Sequence, residues 1–219
     1  MTEQTNNNVP QLSFVMVVHD DETAIEQHLA QFFHQECATP YEVIVVDDAS
    51  TDNTSDLLKS MKVRYKQLHV TFLPKSVPNP SRMQLALYVG VKAAKSDIIV
   101  LSDINRPPTS PQWIDGLVAQ MADHLSEVVM IYTGRKHPDD VTFQLFTQLE
   151  DAEPMLRKAE CRSGKGHQAR HFKLKRGNYD AVAITSQRIY DAIRFYDTSI
   201  KWFSLLGLRL QVFFKNLID

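Results

Sequence analysis

Four short runs of apolar residues constrain the fold of this chain more than any other feature of its sequence. They cover residues 12–18, 41–46, 97–101 and 127–133. Each run is nearly continuous rather than alternating, which is typical of strands that are covered on both faces in a parallel sheet. Residues 179–185 are also predicted to form a strand.

Helical patterns fill the gaps between the first four runs. Apolar residues recur at helical spacing after Asp20 and Asp21, after residues 50–52 and after the turn at residues 78–81. A further helix is predicted to open at Pro111. The alternation of strands and helices predicts an α/β fold, with a doubly wound, mainly parallel sheet and helices on both faces.

The second half of the chain has a less regular pattern. Residues 141–160 are predicted to be helical, with Pro154 kinking or dividing the helix, and residues 186–196 to form another helix. Residues 199–219 form an amphipathic pattern with a wide apolar arc, which suits packing on the sheet domain, a homodimer interface or a helix lying in a membrane surface. We therefore expect one domain over residues 1–198, followed by this C-terminal helix.

Composition excludes several classes of protein. The net charge of −2 argues against nucleic acid as a partner. The two cysteines, Cys37 and Cys161, cannot build a disulfide framework or a cysteine-based zinc site. The first eleven residues are polar and lack the features of a signal peptide, and no apolar stretch reaches the roughly 20 residues of a spanning helix. We expect a cytoplasmic protein, or one on the cytosolic face of a membrane.

Acidic residues directly follow three of the predicted strands. The segments are His19-Asp20-Asp21, Asp47-Asp48-Ala49-Ser50 and Ser102-Asp103-Ile104-Asn105. Each alone could be a turn or a helix cap. Parallel α/β sheets, however, bind ligands beyond the carboxyl ends of their strands. Carboxylates gathered there repel one another unless a cation or hydrogen-bond donors compensate them.

Residues 14–20, 41–54 and 99–108 resemble family 2 glycosyltransferases of the GT-A fold, most specifically in Val46-Asp-Asp-Ala-Ser-Thr-Asp52. The resemblance implies an inverting transfer from a nucleotide-diphosphate sugar, usually a UDP sugar. It implies that Asp48, with Asp47 beside it, holds the base and ribose. His19, Asp20 and Asp103 are further substrate-binding candidates.

The resemblance also implies a divalent metal, Mn²⁺ or Mg²⁺, at an Asp-x-Asp motif that Asp103 and Asn105 match. Both ions prefer hard oxygen ligands and bridge carboxylates to phosphates. Asn105 stands where the motif has its second acid. An amide oxygen carries no charge, so the metal affinity should be lower.

No late acidic motif supplies an obvious catalytic base. The family normally carries such a pair, but after Asp197 the chain continues Thr-Ser-Ile-Lys-Trp-Phe. The candidates for a base are Asp180 and Asp151, with Glu150 and Asp197 as further possibilities. A base must first reach the acceptor hydroxyl.

A basic run extends from Arg157 to Arg176. It could grip a diphosphate or an anionic acceptor, with Arg176 as the candidate ligand, or meet phospholipid headgroups. A solvated loop is the commoner use of such a run. His167 and His171 lie within it at a spacing that could suit zinc, although the neighbouring glycines favour a loop.

The sequence therefore predicts a glycosyltransferase in glycan or polysaccharide assembly, with a glycan or lipid-linked acceptor. The main alternative is an inactive family member that binds a nucleotide sugar or a partner. A nucleotidyltransferase-like enzyme is less favoured, because its Gly-rich, Lys-bearing phosphate loop is missing.

Overall fold

The computed structural model describes residues 11–73, 82–122, 126–133, 141–152, 180–185 and 187–189. Within these residues, the strands are β1 (Leu12–Val18), β2 (Tyr41–Asp47), β3 (Leu68–Phe72), β4 (Ile98–Ser102), β5 (Val128–Thr133), β6 (Val141–Phe146) and β7 (Ala181–Thr185). The α-helices are α1 (Glu22–His28), α2 (Thr54–Arg64), α3 (Arg82–Ala93) and α4 (Trp113–Met121). A 3₁₀ segment, Leu29–Phe33, continues α1.

The strands form one mixed sheet in the order β3-β2-β1-β4-β7-β5-β6. β1 pairs in parallel with β2 and β4, and β2 pairs in parallel with β3. β7 is antiparallel to both β4 and β5, and β6 is antiparallel to β5. Strands β1 to β5 therefore run in one direction, which confirms the prediction of a mainly parallel sheet.

Alternate residues of each central strand enter two separate cores. On β1, Val15 and Val17 belong to the core that α3 covers, whereas Phe14 and Met16 belong to the core that α1, α2 and α4 cover. All seven residues of β1 are buried. A strand with two buried faces is apolar at nearly every position, which is why these runs do not alternate. Helices on both faces are thus confirmed.

The prediction of a helix over residues 141–160 was wrong for residues 141–146, whereas residues 149–152 are helical and the rest lies outside the described residues. Residues 141–146 form β6, an edge strand that pairs with β5 from Val128↔Phe146 to Thr133↔Val141. Residues 141–145 alternate apolar and polar side chains, as a strand with one buried face does, so a short strand signal was present in the sequence. β3, at the other edge, was not predicted, because only Leu68 is buried there.

Several expectations lie outside the described residues. They include most of the predicted helix at 186–196, the amphipathic segment 199–219 and the division at residue 198. These stay predictions. Among the described helices, none combines the length and the apolar character needed to cross a bilayer.

Gly90 on α3 allows the helix to lie close to the centre of the sheet. A Cβ at this position would stand 2.5 Å from Cγ1 of Val15 and 3.0 Å from Cγ2 of Val46. Both neighbours are rigid β-branched residues on central strands. A side chain here would therefore force α3 away from β1 and β2.

Replacing Gly90 with Ala is expected to destabilise the fold by roughly 1–3 kcal/mol through overpacking, partly offset by about 1 kcal/mol of helix propensity. Urea unfolding would measure the change. Gly116→Ala is the matched control, because its Cβ would meet only the ring of Phe143, at 3.2 Å. Equal losses at both positions would contradict this account of Gly90.

Candidate functional site

The carboxyl ends of β1, β2 and β4 lie at one edge of the sheet. β1 lies between the other two, with Val18 opposite Asp47 on β2 and Val15 opposite Leu101 on β4. The segments 19–21, 47–50 and 103–105 leave the sheet at this edge. We call it the carboxyl edge, and it is where ligands of such sheets bind.

Asp48 lies at the carboxyl edge and is paired with a cation. Its carboxylate accepts a hydrogen bond from Arg82, the first residue of α3, and their side chains are 14% and 13% exposed. The backbone of Asp48 is anchored to β1, since its N–H donates to the carbonyl of Val18 at 2.8 Å. Nδ1 of His19 lies 2.7 Å from the Asp48 carbonyl. A carbonyl only accepts hydrogen bonds, so this nitrogen carries the proton.

Sequence reasoning missed Arg82, which lies 34 positions from Asp48. One signal was present, because a cation in the first turn of a helix opposes the helix dipole. An arginine at this position is unfavourable without a nearby anion, and the Asp48 carboxylate is that anion.

Asp47 has a structural role that the sequence did not predict. The residue is 1% exposed. One carboxylate oxygen accepts the N–H of Ser50 at 2.9 Å, and the other accepts the hydroxyl of Ser55. Because both oxygens hold the chain after β2, the structure does not support the prediction that Asp47 contacts the base or ribose.

Asp20 connects the turn after β1 to the loop after β2. Its carboxylate accepts the N–H of Thr51 at 2.6 Å, the N–H of Asp52 at 3.3 Å and the hydroxyl of Thr51 at 3.2 Å. Its own N–H donates to Oγ of Ser50 at 3.0 Å. The Thr51 N–H is the main reason that the pKa of Asp20 lies below its ordinary value, although burial opposes the shift.

Two residues in these turns have left-handed backbone conformations. φ is 51° at Asp20 and 55° at Ala49. Aspartate tolerates this region, but alanine pays about 1–2 kcal/mol for it. Such strain persists only where surrounding contacts over-determine the conformation. Asp47 and Asp20 supply those contacts on the two sides of the loop.

Asp52 adds a second connection between the two turns. Its carboxylate accepts the N–H of Thr54 at 3.0 Å and the N–H of Glu22 at 3.2 Å. Burial raises the pKa of Asp52, but the hydrogen bonds from Thr54 and Glu22 together hold it below its ordinary value.

A cleft of about 280 Å³ opens beside these turns, and most of its polar lining is acidic. It is lined by Asp20, Asp21, Glu22, Thr23, Ala24, Gln27, Asp52 and Asn105. A ligand with a phosphate group would meet repulsion from this lining unless a cation accompanied it.

Asp103 and Asn105 form a compact pair of oxygen donors after β4. Asp103 is 4% exposed. Its carboxylate accepts both the backbone N–H of Asn105, at 2.9 Å, and the side-chain amide, at 3.2 Å. The Asn105 nitrogen thus points at Asp103, which leaves its carbonyl oxygen as the second oxygen donor of the pair.

This donor set fits a metal that is only partly held by protein. In the described part of the chain, no three His, Cys, Asp or Glu residues form a cluster that could bind a metal. Mg²⁺ commonly takes one or two protein oxygens and completes its shell with substrate phosphates and water. Asp103 and Asn105 match that requirement.

Asp180 lies at the carboxyl edge. Ala181 pairs with Ser102 across β7 and β4, so Asp180 and Asp103 flank this pair on the same side. The carboxylate of Asp180 forms an ion pair with Arg106 at 3.0 Å. The sequence prediction did not include Arg106, which follows Asp103 in the same loop.

Asp151 and Glu150 lie at the opposite ends of the parallel strands, away from the carboxyl edge. They follow β6, which ends where β5 begins, and the N–H of Leu149 donates to the carboxylate of Glu127 at 3.0 Å. Arg188 pairs there with Glu127, at 3.1 Å, and with Glu150. Asp151 lies near the start of β5, whereas Asp103 follows the end of β4, which runs in the same direction. The structure therefore does not support Asp151 as a base for this site.

The other predicted site residues lie outside the described residues. They are Arg176, Asp197, the basic run 157–176 and its two histidines.

The family model for glycosyl transferase family 2 matches residues 13–213. This chain belongs to glycosyl transferase family 2. The resemblance seen in the strand-end motifs is thereby confirmed, and the mixed sheet is of the GT-A kind.

One curated relative is the hyaluronan synthase of Pasteurella multocida, 24% identical over 159 residues. The match covers 71% of this chain but 16% of that protein. The chain thus spans a small part of this relative.

Two solved structures resemble the fold. The mannosyltransferase PcManGT from Pyrobaculum calidifontis, in complex with GDP-Man and Mn²⁺, is 20% identical with a TM-score of 0.51, over 58% of this chain and 36% of its own. S. aureus TarS 1–349 is 23% identical with a TM-score of 0.48, over 57% and 36%.

Replacing Asp20 with Asn is expected to lower the free energy of unfolding at neutral pH. The pKa of Asp20 in the folded chain lies below 3.8, so its stabilisation is complete above that pH and is lost as the pH falls through the folded-state value. The difference in urea midpoint between wild type and variant should therefore be largest near neutral pH and should shrink towards zero in acid. Glu26→Gln, an exposed carboxylate on α1, is the control. A difference that is constant with pH would contradict the assignment.

Proposed function

We propose that this chain transfers a sugar from a nucleotide-diphosphate sugar to an acceptor hydroxyl, with inversion. The observation that carries the proposal is the meeting of Asp48–Arg82 and Asp103–Asn105 at one edge of a family 2 sheet. UDP is the donor nucleotide that the sequence resemblance favours, and GDP is the alternative because PcManGT was solved with GDP-Man.

In this proposal, Asp48 accepts hydrogen bonds from the nucleotide. Its partner Arg82 fixes the direction of the carboxylate and brings positive charge to an acidic edge. His19 holds the Asp48 carbonyl from the other side. A buried site with oriented polar groups selects one nucleotide base over another, because the wrong base leaves polar groups of the site without hydrogen-bond partners.

Asp103 and Asn105 would hold Mn²⁺ or Mg²⁺ against the diphosphate. When bound, such a cation neutralises the negative charge that develops on the leaving diphosphate. Because this pair has a single carboxylate, phosphate oxygens of the donor would be needed as further ligands, so donor and metal would bind together. The solved complex of PcManGT contains Mn²⁺, which supports this part of the proposal.

Transfer needs a base that takes the proton of the acceptor hydroxyl. The hydroxyl oxygen then attacks the anomeric carbon while the bond to the diphosphate oxygen breaks, which inverts the configuration. Of the base candidates within the described residues, Asp180 alone lies at the carboxyl edge. Arg106 holds its carboxylate beside Asp103, so Asp180 is the base that we propose.

The acceptor is proposed to be a glycan or a lipid-linked sugar. Support comes from the name of the Pasteurella relative, which denotes a polysaccharide synthase. Action at a cytosolic membrane surface through residues 199–219 stays a prediction.

A second function has one observation in its favour. The ion pair between Asp180 and Arg106, at 3.0 Å, occupies the carboxylate that transfer would use as its base. The chain would then bind a nucleotide sugar without transferring it. Consumption of donor in the presence of acceptors distinguishes the two functions.

Replacing Asp48 with Ala is expected to weaken nucleotide binding by roughly 10- to 150-fold, the usual cost of losing a hydrogen bond to a charged group. Calorimetry with UDP, GDP and dTDP sugars, each with Mn²⁺ and with a chelator, would measure it. Asp56→Ala, an exposed residue on α2, is the control. Unchanged affinity in a cooperatively melting Asp48→Ala variant would overturn the role of Asp48. No binding by the wild type, with any of these nucleotides, would overturn the donor site.

Replacing Asp180 with Asn is expected to lower kcat by roughly 100- to 10,000-fold, the range for loss of a general base, and to leave donor affinity within a few-fold. Steady-state kinetics and calorimetry would separate the two effects. Asp97→Asn, at the other end of β4, is the control. A variant that retains the wild-type kcat would exclude Asp180 as the base.

A further inference from the structure

We infer that Asp20 is a positioning residue for the nucleotide-binding loop rather than a ligand of the nucleotide. The inference rests on the proposed function, because it assigns Asp20 a role in presenting Asp48. It replaces the expectation from sequence that Asp20 binds substrate directly.

The hydrogen bonds of the Asp20 carboxylate are directed at the loop. One oxygen accepts two consecutive backbone N–H groups, from Thr51 and Asp52, and the Thr51 hydroxyl also reaches the carboxylate. Nε2 of His19 lies 3.5 Å from the other oxygen. The backbone donors converge on one oxygen, so the carboxylate holds the loop after β2.

Ala49 explains why the loop needs support from outside. Its left-handed conformation, φ 55°, lies between the anchored residue Asp48 and the residues that Asp20 holds. Within the loop, Asp47 holds the N–H of Ser50. Asp20 supplies the opposing contacts, to Ser50, Thr51 and Asp52, from a different strand end. Without these contacts, the chain would lower its free energy if Ala49 left the left-handed region.

Relaxation of Ala49 would reach Asp48 through their shared peptide group. The carbonyl of that peptide accepts the hydrogen bond from His19. If the peptide rotates, this bond breaks and the Asp48 side chain changes direction relative to Arg82. Asp20 therefore acts on nucleotide binding through Asp48.

The test uses two substitutions that keep the backbone of Asp20 unstrained. Asp20→Gly retains access to positive φ and removes the carboxylate, whereas Asp20→Asn also tolerates positive φ and keeps one acceptor oxygen. Asp20→Ala would add backbone strain and confound the result. Asp56→Asn, on the exposed face of α2 with its side chain 80% accessible, is the matched control.

Amide hydrogen exchange gives a readout that needs no ligand. In Asp20→Gly, the Thr51 and Asp52 amides should lose protection while amides of β1 and β2 keep theirs. Asp20→Asn should show a partial loss, and Asp56→Asn none. If both amides stay protected in Asp20→Gly, Asp20 does not hold the loop and the inference is overturned.

Calorimetric binding of UDP with Mn²⁺ gives the second readout. Asp20→Gly should weaken UDP binding by about 3- to 30-fold, as expected for a residue that modulates a site without touching its ligand. In an Asp48→Asn background, the further loss from Asp20→Gly should be much smaller, because the effect passes through Asp48. An undiminished loss in that background would identify Asp20 as a direct ligand and overturn the inference.

The two failures are distinguishable. If the wild type binds neither UDP nor GDP with Mn²⁺, the proposed function fails and a role in presenting Asp48 to a nucleotide fails with it, while hydrogen exchange still reports whether Asp20 holds the loop. If the wild type binds UDP, and Asp20→Gly removes the protection of the Thr51 and Asp52 amides without weakening UDP binding, only the positioning role is overturned.

Discussion

The parallel pairing of β1 with both β2 and β4 is the constraint on which the rest of the structure depends. It buries every residue of β1 and brings three strand ends to one edge. The burial requires helices on both faces, and Gly90 lets α3 lie close enough to cover one of them. The same pairing forces acids from three distant parts of the chain together, so the architecture itself creates the electrostatic problem of the carboxyl edge.

The acids at this edge are compensated in different ways. Asp48 and Asp180 have arginine partners. Asp47 and Asp20 instead receive hydrogen bonds from the loop after β2, so their charge stabilises backbone. Asp103 is the exception, because within the described part of the chain its carboxylate accepts hydrogen bonds from two neutral amide groups, both of Asn105. A buried carboxylate with neutral donors is well suited to a cation, which is the electrostatic basis for the metal that we propose there.

The loops at this edge form one braced unit. The Asp20 carboxylate accepts hydrogen bonds from Thr51 and Asp52 in the loop after β2, and the Asp52 carboxylate accepts one from Glu22 at the start of α1. The strained residue Ala49 lies within that loop. A loop that is fixed from two strand ends can hold Asp48 in one orientation before a ligand arrives. Preorganisation of this kind lowers the entropic cost of binding.

The sequence by itself determined the central strands, the helices between them and the acidic strand ends, because two-sided burial and helical periodicity are local patterns. Tertiary structure decided which acids serve which purpose. Arg82 and Arg106 reach Asp48 and Asp180 through contacts that no local pattern records. Asp151 and Asp180 were equal candidates in sequence, and only the antiparallel return of β6 places Asp151 at the far edge. Edge strands β3 and β6 escaped prediction because pairing on one side, rather than burial on two, is what holds them in the sheet.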